Sequence, residues 1–256
     1  MIPGPAYPIS EAYSRKRVCI TCRAEQSRHN GRWATRKLAQ VEVTPAAHQV
    51  ILGSLLGDGS FDESPQHNSW GLSIKHGLRQ QQYCLWKATL LGQLVAGVDW
   101  PEQRVRVRTV KHPALTTLAL QLRASGRKSI VQGVFDSLGP LGLAVWYFDD
   151  GSISPWRLSY TKGKLVTRAA EIRLSANSFQ EHELMVLRSI IEDRIGERCT
   201  KCTWTYRKNN FTGQTYSEPK RMHGIRLYAE AAAAFIKYIS QASVSGSGME
   251  HKLKLL

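Results

Sequence analysis

Hydrophobic positions gather in two short runs that each end in an acid and a glycine: Ile51-Leu-Gly-Ser-Leu-Leu-Gly-Asp58-Gly59 and Leu143-Ala-Val-Trp-Tyr-Phe-Asp149-Asp150-Gly151. In the first run, Thr44-Pro45 supplies an N-cap and a proline at the first helical position, which predicts a helix. Val50, Ile51, Leu52, Leu55 and Leu56 put apolar surface on more than one side, so this helix is expected to be largely buried. Gly53 and Gly57 share a face. Glycine in a helix costs ~1 kcal/mol relative to alanine, and the close approach of a second helix is the natural compensation. Gly59 is expected to end the helix through a left-handed exit.

After a polar loop, Trp70 to His76 alternates as a strand. A helix over Arg79 to Leu94 follows, with Tyr83, Leu85, Trp86, Leu90 and Leu94 on its core side. Arg104 to Val110 is the clearest strand, with Arg104, Arg106 and Arg108 on one face and Val105, Val107 and Thr109 on the other. A short helix over Pro113 to Leu122 and a loop from Ala124 to Lys128 complete the segment. Gly139-Pro140 marks a boundary, and the layout repeats. Glu171 to Ser175 is a strand with Arg173 exposed. Ser178 caps a helix with Glu181 in the capping-box position. Thr203 to Arg207 and Gly224 to Tyr228 are strands, Ala229 to Ile239 is a helix, and a Ser/Gly-rich loop from Ser243 to Gly248 leads to Lys252. The expected organisation is a basic N-terminal extension over 1–44, a first half over 45–138 and a second half over 139–256.

An apolar fraction of 42% fits a folded protein, and a net charge of +15 over 256 residues points to a polyanionic partner. Nucleic acid is the first candidate and an anionic membrane surface the second. No apolar run approaches the ~20 residues that span a bilayer, and the N-terminus lacks the pattern of a secretory signal. An intracellular protein of the cytoplasm, nucleoid or organelle matrix is expected. Before residue 44 the chain carries Arg15-Lys16-Arg17, Arg23, Arg28, Arg32 and Arg36-Lys37, which reads either as an arm lying along phosphates or as a solvated tail. The Arg104, Arg106 and Arg108 row has a spacing of about 7 Å and faces nucleic acid, joined by Lys75, Arg173, Arg207 and Arg226. The five cysteines do not suggest a disulfide framework. Cys19-Ile-Thr-Cys22 and Cys199-Thr-Lys-Cys202 are read as ordinary free thiols, with a four-thiolate structural Zn²⁺ site and redox chemistry as the alternatives.

The acids carry the chemistry. If the two glycine-bearing helices pack side by side, Asp58 and Asp150 arrive together, and paired carboxylates call for a cation between them. An all-oxygen donor set favours Mg²⁺, with the carbonyls of Gly57 and Asp149 as further ligands. An acid at a helix C-terminus opposes the helix dipole, and that this choice is made twice argues for a metal role. Lys128 and Lys252 each follow the last helix of a half and are candidates to orient water or stabilise developing charge.

The two acid-ended runs resemble the paired signature motifs of LAGLIDADG homing endonucleases. Trp146-Tyr-Phe-Asp-Asp-Gly151 is similar to the aromatic second motif of monomeric, intron-encoded members. Arg127-Lys128-Ser129-Ile130 and Met249-Glu-His-Lys252-Leu253 are similar to the segments that carry their active-site lysines. The resemblance covers residues 45–256. It implies a mixed α/β, pseudo-two-fold αββαββα fold with antiparallel, saddle-shaped sheets over DNA. It also implies a monomeric enzyme that hydrolyses both strands of a long asymmetric site with Mg²⁺, about two or three ions shared between Asp58 and Asp150. Ser54, Leu56 and Val145 depart from the pattern. An RNA-binding maturase acting on its host intron RNA, and a non-catalytic DNA-binding protein of the same fold, are the alternatives. An intein origin is not expected, because no splicing Cys or Ser opens the chain and no His-Asn closes it.

Overall fold

The computed structural model describes residues 41–256 except 65, 67, 155–156, 162–163, 209–214 and 255–256, with side chains also undescribed across 157–161, 164–168, 206–208 and 216–221. Cys19, Cys22 and the basic arm therefore lie outside the described residues, as does the Arg207 side chain.

Helix α1 (Pro45–Leu56) begins as its sequence dictates: Thr44 accepts a hydrogen bond from the Ala47 N–H at 3.1 Å, with proline in the first turn. Every residue from Val50 to Leu56 is buried. Helix α5 (Pro140–Asp150) is the same kind of element, buried from Gly142 to Phe148. The two pack against each other. A Cβ at Gly53 would stand 2.3 Å from the Gly142 carbonyl oxygen and 2.7 Å from the Val145 Cβ, and one at Gly57 would stand 2.4 Å from the Asp149 Cβ. The glycines of α1 are thus holes that the Val145 and Asp149 side chains fill. Gly53→Ala is expected to force the helices apart, costing ~2 kcal/mol as overpacking and lowering the melting temperature by about 4–8 °C; an unchanged thermal melt contradicts this packing.

Around the pair the element order repeats. In the first half, β1 (Gly59–Ser64), β2 (Ser69–Gly77), α2 (Gln81–Leu91), β3 (Val95–Asp99), β4 (Arg104–Thr109) and α3 (Pro113–Leu122) follow α1. After a short α4 (Gln132–Phe135) and α5 come β5 (Gly151–Ser154), β8 (Glu171–Ser175), α6 (Glu181–Ile195), β9 (Thr200–Lys208), β10 (Thr215–Tyr228) and α7 (Glu230–Ile239), with a hairpin of β6 (Arg157–Thr161) and β7 (Lys164–Arg168) inserted. The two main sheets are antiparallel, in the orders β1-β2-β4-β3 and β5-β8-β10-β9. This is the expected αββαββα layout, twice. No described helix is long and apolar enough to cross a membrane.

Several expectations change. The stretch after α1 is strand β1 rather than a loop, and β3 is a further strand. Neither Gly57 nor Gly59 takes a left-handed exit, since neither has a positive φ. Gly59 is needed for space instead: a Cβ there would meet the Ser54 carbonyl oxygen at 2.6 Å. Helix α6 starts two residues beyond the expected box, with Gln180 as N-cap and Glu183 as the reciprocal partner. On α2 the buried residues are Tyr83, Cys84, Lys87 and Leu91, while Leu85, Trp86 and Leu90 are half-buried. The face is rotated because Lys87, wholly buried, has a partner inside.

Candidate active site at the paired helix ends

Asp58 follows α1 and Asp150 ends α5, so the interhelical contact delivers the two acids to one place. Asp150 is pushed up to about 7, first by burial and then by the charges of Asp58 and Asp149. Asp58 rises to about 6 through burial and then Asp149. This is the electrostatics of a site short of positive charge, and its oxygen donors fit a hard divalent cation.

The stability consequence has a definite sign. A carboxyl whose folded value lies above the unfolded one holds its proton in the folded state while the unfolded chain has lost it, so stability falls as pH rises from about 4 towards 7. Metal-free Asp150→Asn is therefore expected to be more stable than the parent by roughly 2 kcal/mol at pH 8, allowing for solvent screening. The advantage should vanish near pH 4. Paired thermal melts in chelator at the two pH values check this, and an equal difference at both contradicts it.

Asp149 plays a part unlike its neighbour's. Its side chain is completely buried. Oδ1 accepts from Lys87 Nζ at 2.6 Å and from the Tyr83 hydroxyl at 2.8 Å, while Oδ2 accepts the Asp58 backbone N–H at 3.2 Å. Lys87 Nζ also lies 3.2 Å from His76 Nε2. His76 sits on the inward face of β2 with Leu72 and Ile74, and its Nδ1 is 3.4 Å from Asp58 Oδ2. Asp58, His76 and Asp149 offer ligand atoms that all lie within 4.8 Å of one another. Burial, then Lys87, lowers His76 to about 4, so its ring is neutral. Tyr83 is raised by burial and by Asp149. Reading residue by residue missed both Lys87 and His76; the available signal was strand parity, since His76 shares the face of Leu72 and Ile74.

The two expected lysines lie close by, and burial lowers both while Asp58, Asp149 and Asp150 oppose the shift. Lys252 Nζ donates to the carbonyls of Tyr147, Phe148 and Gly151 at 3.2, 2.8 and 2.9 Å, and the Tyr147 hydroxyl donates to the Lys252 carbonyl at 2.7 Å. Lys128 lies in a loop held on both sides by Glu183, which accepts from Arg127 and from the Ile130 N–H at 2.8 Å each. Its ammonium stands 5.4 Å from the Phe179 ring centre.

On the outer face of the first sheet, Lys75 pairs across the strands with Arg106, and Ser73 with Arg108. The arginine row is not uniformly free. Asp99 takes a bidentate pair of bonds from Arg106 at 2.8 and 2.7 Å and a further contact from Arg108 at 3.1 Å. In the second sheet Arg226 lies opposite Arg173, and Arg173 is paired with Glu171. Cys199 is buried and Cys202 half-buried, both as free thiols; among the described residues neither joins a group able to hold a metal.

A family model described as the LAGLIDADG DNA endonuclease family matches residues 48–212. The protein named RecA in Mycolicibacterium fallax is 40% identical over 113 residues, which covers 41% of this chain and 26% of the relative. That of Mycobacterium shimoidei is 30% identical over 153 residues, covering 58% and 36%. The chain thus spans only about a quarter to a third of these curated relatives. Among solved structures, the homing endonuclease I-WcaI bound to its DNA recognition sequence has a TM-score of 0.61 at 14% identity, over 87% of this chain and 92% of that one, and so shares the fold.

Proposed function

The chain belongs to the LAGLIDADG DNA endonuclease family, whose model matches more than half of its length, and from that premise we propose that it is a site-specific homing endonuclease hydrolysing both strands of a long DNA target. The observation that carries this is the meeting of Asp58 and Asp150 at adjoining helix ends, both driven up by burial and by neighbouring charge, with two lysines alongside. A maturase or a non-catalytic DNA-binding protein has no need of two such acids.

In this reading Asp58 and Asp150 hold Mg²⁺, with the Gly57 and Asp149 carbonyls as further oxygen donors; the Asp149 carboxylate is already committed to Lys87 and Tyr83. The bound cations supply water activation and stabilisation of the leaving oxygen at phosphorus. The lysines divide the remaining work. Lys252 spends its N–H donors on backbone carbonyls, so it fixes the end of α5 beneath Asp150 and adds positive potential. Lys128 makes no hydrogen bond through Nζ among the described residues, and it is the group positioned to meet the scissile phosphate or the attacking water. Lys75, Arg104, Arg173, Arg207 and Arg226 contact the duplex, and Asp99 presents Arg106 and Arg108 in a fixed pose. With both acids on one chain, the enzyme acts as a monomer, in whichever intracellular compartment holds its target DNA.

The RecA-named relatives share this module within longer chains. That favours an endonuclease module carried inside a host protein's reading frame, as in an intein, and it weighs against the expectation of an intron-encoded type with no intein origin. Cleavage of a randomised duplex library in Mg²⁺ and in Ca²⁺ tests the function. Cutting at a defined site in Mg²⁺ alone is expected; no site-specific cutting in Mg²⁺ refutes it.

A further inference from the structure

Behind the helix ends, a polar chain runs through the interior that hydrolysis does not by itself demand: Asp149, Lys87, His76, Asp58. We propose that His76 is a positioning residue for Asp58. Its neutral imidazole, with the tautomer set by Lys87, presents Nδ1–H to Asp58 Oδ2 and turns that carboxylate's other oxygen to the cation. This rests on the reading of Asp58 as a metal ligand.

The argument begins with donors and acceptors. The Lys87 ammonium can only donate. It gives one bond to Asp149 Oδ1 at 2.6 Å, and its contact with His76 Nε2 at 3.2 Å therefore requires Nε2 to accept. A neutral imidazole that accepts at Nε2 carries its proton on Nδ1. The His76 side chain is completely buried, and among the described residues its Nδ1 has no hydrogen bond within normal limits, the Gln80 side chain being the other polar group near the ring. Buried donors without partners are rare. Asp58 Oδ2 lies 3.4 Å from this one, on a side chain exposed enough to turn. A small rotation of Asp58 completes the bond, which is the kind of outer contact that orients a metal's carboxylate ligand.

The rival arrangement makes His76 itself a ligand, together with Asp58 and Asp149, whose ligand atoms lie within reach of a single ion. It fails on the same accounting. A coordinating Nδ1 leaves the proton on Nε2, where it would meet the Lys87 ammonium donor against donor. Asp149 Oδ1 is also fully engaged, because Lys87 and Tyr83 both donate to it. A cation held instead by Nε2 and Asp149 Oδ1 would have to stand where Lys87 Nζ does, 3.2 and 2.6 Å from those atoms.

The device exists on one side only. By strand register Ile74 lies opposite Gly59 and Leu174 opposite Gly151, so the counterpart of His76 in the second half is Ala176, a buried residue whose methyl group can neither donate nor accept. Among the described residues no imidazole approaches Asp150. The two acids are therefore unequal: the Asp58 side is preorganised for a divalent ion, and the Asp150 side is not.

Two measurements on metal-free and Mn²⁺-titrated protein test this without reference to cleavage. Long-range ¹H–¹⁵N NMR of the parent protein is expected to show His76 as the Nδ1–H tautomer; an Nε2–H tautomer overturns the proposal. In Mn²⁺ titrations followed by electron paramagnetic resonance, His76→Leu is expected to weaken the tighter binding class about 10-fold or more. His76→Asn, which keeps an N–H close to the place of Nδ1, should retain it within about 3-fold. Unchanged Mn²⁺ affinity in His76→Leu overturns the proposal, as does an equal loss in both variants. Should the leucine variant not fold, the tautomer of the parent decides alone. A protein that passes both tests yet cuts no DNA refutes the endonuclease reading and leaves this one standing.

Discussion

Asp58→Asn and Asp150→Asn are each expected to lower single-turnover cleavage by about 10³-fold or more, while binding to the same duplex in chelator stays within about threefold. The split follows from where the acids sit. Both lie at the ends of the motif helices, whereas Lys75, Arg104, Arg173 and Arg226 lie on strands. Replacing either acid also removes a negative charge that repels phosphate, so metal-free binding should tighten if it moves at all. The double variant should cut no more slowly than the worse single one, because groups that build one site are not additive. Plasmid cleavage and gel-shift titration read the two quantities separately. Near-parental cleavage in either single variant would remove that acid from the site.

Lys87→Met is expected to cost about 3–5 kcal/mol of stability, because it strands the buried Asp149 carboxylate without its counter-ion. The Tyr83 hydroxyl and the Asp58 N–H remain as neutral donors to Asp149, and they do not replace an ammonium at 2.6 Å. The informative companion is Lys87→Met with Asp149→Asn, which removes both charges and preserves shape. That double variant should recover most of the loss, as a coupling energy in a denaturant cycle. A Lys87→Met protein within 1 kcal/mol of the parent would show that the pair contributes little, which is how most exposed ion pairs behave.

Much of this molecule could be read from its residues, and apart from the α6 cap and the exit from α1 the failures share one cause. The Thr44 cap, the strict alternation of Arg104 to Thr109 and the order of elements within each half depend on neighbours close in sequence, and each lies where expected. What escaped depends on partners distant in sequence. Lysine in an amphipathic helix reads as solvent-facing, so nothing within Gln81–Leu91 shows that Lys87 meets an acid 62 positions away. Strand β1 carries Ser60, Asp62, Glu63 and Ser64, which look like a loop until pairing with β2 turns Phe61 inward beside Leu72. Val145 departs from the family pattern in the second motif helix. It is the knob that the Gly53 hole accommodates.

The bonds from Lys252 reach back 101 to 105 positions along the chain, to the last turn of α5 and the residue after it. On a translating ribosome, α5 emerges long before the lysine that caps it, and until then those carbonyls at the foot of the cleavage centre have no ammonium to receive. The end of α5 that carries both Asp149 and Asp150 is thus completed only when nearly the whole chain has been made.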